Sequence, residues 1–401
     1  MKFQSEEDIL IVILVLSILC HGMFYVREWL ILGGLIVILY GVSKIKNKKK
    51  KTLSDKKCLQ GSDYIFMTLI GLSLTGLFLP VVSSEGIFEA LRWGIYYLVY
   101  KLSCNIGNKE KASVKMIKSV IIIIVLFTGL GWIPSLNDFC MLGGTSEKMR
   151  YGSVFCYPNA AGAMLGSAVL LIGKKNIFDL VLKSFLIITI VFTGSRAALA
   201  LLIVMLVLMF IREQVFIRKC KKNAGQVMLS ISKNVYNRKQ FAILISSGVM
   251  FMLLICYGLK TYNASIIHLC DWSWVSFSER FSYYKDGLHM ALNNNLFPRA
   301  GAWSAFPLIQ KIPYWTDDPH SSFITILLNQ GIAGVVILGG WSIKGIKKYI
   351  KVLKGKEQLY LSAVMSAAIY LGFHSLVDVD MAFGSLGIIF WILVGLSTPR
   401  I

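Results

Sequence analysis

Apolar runs of bilayer-spanning length recur along this whole chain with short basic clusters between them, and no other feature limits its fold so tightly. Crossing a hydrocarbon layer about 30 Å thick takes about 20 helical residues, fewer where flanking groups reach back to the interface. Inside that layer every backbone N–H and C=O needs a partner within the protein, which leaves helices for runs of this kind. The sequence therefore predicts an all-α, polytopic membrane protein with about 12 transmembrane helices, at residues 9–25, 29–42, 64–82, 87–102, 119–133, 159–172, 177–193, 197–211, 241–257, 322–341, 359–376 and 381–396. The fourth carries Glu89 and Arg92, which at i,i+3 can neutralise each other on one helix face. With 56% hydrophobic and 16% charged residues, the chain has more apolar surface than one water-soluble core buries. The first run follows Glu6, Glu7 and Asp8 and a second comes almost at once, so it reads as a span and not as a cleaved leader.

A net charge of +21 would suggest nucleic acid on a soluble chain. Here the basic residues gather at 44–57, 101–118, 174–175, 212–239 and 344–356, which all fall on one side of a twelve-span arrangement. Basic loops stay cytoplasmic, so topology accounts for the charge, both termini are expected in the cytoplasm, and no nucleic-acid partner is expected. The resulting segments are 1–133 with five spans, an outer loop at 134–158, four spans within 159–260, a large outer loop at 261–320, and three spans within 321–401. Loops as long as 261–320 tend to carry function. The eight cysteines show no metal-ligand spacing, and no metal is expected. Cys140, Cys156 and Cys270 fall in outer loops, where a Cys140–Cys156 disulfide is an open reading.

Four groups of residues could carry chemistry. Asp317-Asp318-Pro319-His320-Ser321 ends the large loop, and Ser321 or Ser322 could cap the helix that follows. A neutral His320 there can take a proton from a hydroxyl, with Asp317 or Asp318 orienting it; a solvated loop histidine is the plain alternative. Thr193-Gly194-Ser195-Arg196 makes a very short outer hairpin, placing Arg196 where a guanidinium can either snorkel or clamp a phosphate. Arg150, ahead of Tyr157-Pro158-Asn159, and Arg280 are further outward arginines, and together the three suit an anionic ligand. Trp303, Gln310 and Tyr314 combine ring faces with an amide, as sugar sites do, although aromatic belts at interfaces look the same. His374 and Asp378 at i,i+4 would share one helix face, as a structural pair or as part of a pocket floor.

His320-Ser321, nine residues, then Gly331-Ile332-Ala333-Gly334 resembles the H-[NSQ]-x9-G-x-x-G pattern of the bacterial O-antigen ligase and polysaccharide polymerase family, which includes capsule and teichuronic-acid polymerases. Ala300-Gly301-Ala302-Trp303 through Gln310 and Tyr314 is similar to the Gly- and Trp-containing segment ahead of that histidine. Thr193 to Ala198 and His374 to Asp378 are similar to two further elements of the family. The resemblance implies a glycosyltransferase C-like fold in the bacterial cytoplasmic membrane, with the site on its outer face. It implies metal-independent, inverting transfer from an undecaprenyl-diphosphate-linked glycan, without a cofactor, alongside a flippase and a chain-length regulator as partners. His320 would be the base, and Arg196 and Arg280 would hold the diphosphate. Arg150, Asn159, Trp303, Gln310, Tyr314, Asp317, Asp318, His374 and Asp378 would contact substrate. Polymerase and ligase share this chemistry and differ in acceptor. A flippase for the same lipid-linked glycan is the competing class, and the few charges within the spans speak against it.

Overall fold

The structure, a computed structural model, describes residues 5–48, 61–75, 78, 83–133, 150–173, 176–223, 275–308, 316, 318–354 and 359–398. Among these the regular structure is helical: α1 (Glu6–Leu19), α2 (Val26–Lys48), α3 (Gly61–Thr75), α4 (Ser83–Gly107), α5 (Glu110–Gly131), α6 (Pro158–Leu171), α7 (Ile177–Thr193), α8 (Arg196–Asn223), α9 (Val275–Asn293), α10 (Ser322–Asn329), α11 (Gly331–Lys354), α12 (Leu359–Ser375) and α13 (Gly384–Leu396). Short 3-10 turns lie at Ser153–Phe155, Ala302–Leu308 and Asp380–Ala382. Among the described residues three stretches are long and apolar enough to cross a membrane, Val26–Ile45, Glu110–Gly131 and Arg196–Gln214. Their outward faces are apolar too: Ile31, Ile38 and Ile45 on α2, Ile122 and Leu126 on α5, Ile203, Val204 and Ile211 on α8 are all exposed. Such faces suit lipid and not water.

Several boundaries differ from the sequence reading. Where the structure describes them, residues of the basic clusters continue helices: Lys44 lies in α2, Lys101 in α4, Lys111, Lys115 and Lys118 in α5, and Lys344 to Lys354 in α11. Lysine is a good helix former, and its long stem lets the chain stay helical where the apolar run stops. Lys101, read as a loop residue, reaches across to the buried Asp63 on α3 at 2.8 Å. The apolar run from residue 9 closes at Leu19, and His21, Gly22 and Met23 then turn the chain with φ of 46°, 69° and 57°. The run 322–341 is two helices, α10 and α11, because Gly331 breaks it in the left-handed region at φ +66°. The run 241–257 lies outside the described residues.

The described chain gathers into two compact units, one from residues 1–116, 273–345 and 375–401, the other from 117–272 and 346–374. In the first, α4 is the central helix and packs against α1, α2, α3 and α13. Phe66, Trp93, Tyr96, Tyr100 and Trp391 interlock there, with Phe66 and Trp391 ring centroids 4.7 Å apart. Small residues on α13 permit the approach: a Cβ on Gly387 would overlap the hydroxyl end of Tyr96, and one on Gly395 would strike Ser103. In the second unit α6 holds the centre, all 14 of its residues buried. Pro158 opens it at the one place where a missing N–H costs nothing. The Tyr370 hydroxyl lies 3.2 Å from both the Gly162 and the Ala198 carbonyls, binding α6, α8 and α12 together.

Candidate functional site

In the first unit, residues 376–382, between α12 and α13, form a turn that neighbouring elements grip from two ends. The Ser321 hydroxyl donates to the Leu376 carbonyl (2.7 Å), and Arg280 Nη1 and Tyr284 Oη reach the Val377 carbonyl at 2.9 and 3.2 Å. At the far end Tyr96 Oη (3.3 Å) and Arg92 Nη2 donate to the Met381 carbonyl. Between them sits Asp378, fully buried. Its Oδ2 accepts from Arg280 Nη2 at 2.8 Å and its Oδ1 from the Val379 N–H at 2.8 Å. Arg280 and Tyr284 reach this turn together because they are i,i+4 on α9.

His320 faces the same carboxylate. Its Nδ1 lies 3.7 Å from Asp378 Oδ1, and its side chain is 21% exposed. The ring stacks on Tyr283, centroids 5.4 Å apart and planes at 25°. The backbone of His320 is left-handed, φ +53°, a conformation that L residues other than Gly, Asn and Asp seldom adopt and that costs about 1–2 kcal/mol. Two hydrogen bonds hold it there: its N–H donates to Asp318 Oδ1 (2.9 Å), and its carbonyl accepts from Tyr284 Oη (3.1 Å). Strained, over-determined residues cluster at functional sites, which makes His320 a candidate.

A second polar layer backs the turn. Arg92 pairs with Glu89 at 3.4 Å and lies 5.2 Å from the Trp29 ring centroid. Glu89 Oε1 accepts from Asn329 Nδ2 (2.9 Å), and Asn329 Oδ1 accepts from the Gly301 N–H (3.3 Å). Gln330 Nε2 donates to Ser73 Oγ (2.9 Å). The Asn329-Gln330 corner thus ties the Gly301 segment to α3 and α4, and the sequence offered no sign of it beyond two amides ahead of a glycine.

Asp318 is half-buried, and burial pushes its carboxyl up from 3.8 to about 6. The His320 ring and N–H and the Arg92 charge oppose that rise, while Asp378 adds to it. The native carboxyl therefore holds its proton at a pH where the unfolded one has lost it, so stability falls as pH climbs from about 4 to about 6. Asp318→Asn keeps the oxygen that accepts from His320 N–H and removes the charge. It is expected to melt about 2–4 °C higher than the parent at pH 7–8, with the difference gone near pH 4; thermal melts across that range check it.

Other expectations are corrected. Among the described residues, Asp318 holds the backbone N–H of His320, and Asp378 is the carboxylate that faces its ring. Ser321 occupies the N-cap position of α10 but its side chain makes no capping bond; its hydroxyl is turned to the Leu376 carbonyl, to which it donates. His374 and Asp378 do not share a helix face: α12 stops at Ser375, and Asp378 lies in the turn beyond. His374, fully buried, has its ring 6.2 Å from that of Tyr370. Trp303, partly buried, has one face against Phe306 at 4.2 Å and donates its Nε1–H to the Thr316 carbonyl (3.2 Å). Gln310, Tyr314, Asp317, Cys140 and Cys270 lie outside the described residues, and the Cys140–Cys156 reading with them.

The second unit holds the other predicted residues. Arg150 Nε donates to the Thr193 carbonyl (2.7 Å) and its Nη2 to Asn159 Oδ1 (3.0 Å), so those two are brought together at the tip of the α7–α8 hairpin. Asn176 caps α7 by accepting from the Asp179 N–H (2.8 Å), and Gly194 ends it at φ +62°. Gly194 also lets Arg150 in, since a Cβ there would lie 3.0 Å from Arg150 Nε. Ser195 Oγ accepts from the Ala198 N–H (3.4 Å), leaving Arg196 exposed at the first position of α8. Among the described residues no group of three or more His, Cys, Asp or Glu side chains is placed to hold a metal ion. Comparison with protein-family models, curated proteins and solved structures gives no match.

Proposed function

We propose that this chain is a membrane glycosyltransferase that transfers or polymerises undecaprenyl-diphosphate-linked oligosaccharide repeats on the outer face of the bacterial cytoplasmic membrane, both termini cytoplasmic. The observation that carries the reading is His320: an imidazole on a strained backbone, held at both peptide groups and facing a buried carboxylate. The motif spacing of the resemblance supports it, since His320 and Gly331 bracket the eight-residue helix α10. In the reaction the acceptor hydroxyl gives its proton to His320 as its oxygen attacks the anomeric carbon. The bond from that carbon to the diphosphate oxygen breaks, and its electron pair leaves with undecaprenyl diphosphate, inverting the centre. Guanidiniums suit the charge that develops on the leaving group; Arg280 and Arg92 lie in the unit that holds His320, Arg150 and Arg196 in the other.

The test is the full chain in lipid vesicles supplied with undecaprenyl-diphosphate-linked repeats. The expected result is longer glycan, with one undecaprenyl diphosphate released per new linkage. Glycan that stays lipid-linked and merely crosses the bilayer would make the chain a flippase and overturn the reading, as would no reaction. Transfer only when a lipid or protein acceptor is added marks a ligase, the second acceptor class of the same chemistry.

A further inference from the structure

We infer that Asp378 is the positioning carboxylate of His320, and that Arg280 acts through Asp378 instead of gripping the donor's diphosphate. The inference rests on the proposed transfer for its chemical meaning, but its geometry stands by itself. A wholly buried carboxylate needs its charge matched. Arg280 does this with one nitrogen, at 2.8 Å, while its other terminal nitrogen holds the adjoining Val377 carbonyl, so both ends of the guanidinium are engaged on the turn that carries Asp378. The remaining carboxylate oxygen, Oδ1, is the one turned toward His320 Nδ1, with the Val379 N–H setting its direction. At 3.7 Å that approach is longer than a hydrogen bond, as catalytic contacts often are before substrate tightens them.

The turn is fixed on every side the arrangement needs. Ser321, next to the histidine, ties it to the Leu376 carbonyl, Tyr284 bridges the His320 and Val377 carbonyls, and Arg92 and Tyr96 hold Met381. Ring and carboxylate are therefore registered through the same hydrogen-bonded frame. With Nδ1–H directed at Asp378, the ring presents Nε2 as the acceptor atom. It takes the proton of the attacking hydroxyl there, and the imidazolium so formed is stabilised by the buried charge across Nδ1. A carboxylate behind a histidine does the same in serine proteases, where its conversion to the amide costs about 10⁴ in rate.

The experiment is a double-variant cycle on the full chain in vesicles with undecaprenyl-diphosphate-linked repeats, together with ¹⁵N-imidazole spectra. Asp378→Asn is expected to lower kcat by about 10²–10⁴-fold with KM for the lipid-linked donor changed less than about threefold. Arg280→Gln is expected to lower kcat as well, and the double variant to be no worse than the weaker single variant, because both changes disable one unit. Asp378→Glu should recover part of the rate. Losses that multiply, or an Arg280→Gln effect confined to KM, would overturn the inference and return Arg280 to the diphosphate. The spectra judge the pair without turnover: the His320 signal, assigned by its disappearance in His320→Asn, should shift in Asp378→Asn and in Arg280→Gln. A signal unmoved by both sinks the pairing even if transfer is observed. A parent chain that transfers nothing sinks the functional reading while the spectra still decide the pair.

Discussion

His320→Asn is expected to slow glycan transfer by about 10²–10⁴-fold, the usual contribution of a positioned general base, while the protein melts within about 2 °C of the parent. Asparagine is the informative replacement because it tolerates the left-handed backbone that His320 occupies at φ +53°. It keeps the N–H that donates to Asp318 and the carbonyl that accepts from Tyr284. What it loses is the ring, with its stacking on Tyr283 and its approach to Asp378, an aromatic contact worth about 0.5–1.5 kcal/mol at a partly exposed position. Alanine would add backbone strain to the lost base and blur the two effects. Rate is read as undecaprenyl diphosphate released in vesicles, and stability as thermal melting in detergent. Polymer made at the parental rate by His320→Asn would remove the base from the mechanism, and lipid-linked single repeats should accumulate otherwise.

Gly331→Ala carries the largest expected stability effect. Gly331 sits at φ +66°, where a Cβ costs about 1–2 kcal/mol by itself. That Cβ would also fall 2.7 Å from the Leu296 carbonyl oxygen and 2.8 Å from the Pro298 nitrogen, both backbone atoms that no rotamer change can move aside. Overpacking of this sort adds about 1–3 kcal/mol. The same corner carries the Ile332 N–H to Leu296 carbonyl bond (3.0 Å) and the Arg299 N–H to Leu328 carbonyl bond (2.9 Å), which would have to open. Loss of most folded protein, or a melting point lower by about 10 °C or more, is the expected outcome. Gly339→Ala in the same α11, with nothing within 4 Å of its Cβ, should be neutral to within about 0.5 kcal/mol. Equal behaviour of the two variants would show that the Gly331 corner is not what fixes α10 against α11.

What could be read ahead of the structure was local. The Asn176 cap and Gly194 stop delimit α7 at Ile177–Thr193, where the apolar run predicts it, because capping and left-handed closure act over three or four residues. The Glu89–Arg92 pair forms as its i,i+3 spacing allows. Helix ends were less legible where lysines follow an apolar run, since hydropathy falls there while helix propensity does not. Tyr283 and Tyr284, i+3 and i+4 from Arg280, carry no distinguishing sequence signal, because aromatic residues near an interface have a common, uninformative explanation.

By itself the sequence determined that this chain is helical, apolar enough for lipid, and equipped with a histidine at the mouth of an apolar run and a glycine eleven residues on; that Gly331 cuts this run into two helices came only with the fold. Only the tertiary structure decided which carboxylate meets that histidine. Arg280 and Asp378 are 98 residues apart, and Arg92 and Met381 are 289 apart. Helical periodicity reports which residues share a face over a few turns, whereas a buried charge selects its partner by distance in the folded chain, so Asp378 could take its place beside His320 only once α4, α9 and α10 had closed around the turn that carries it.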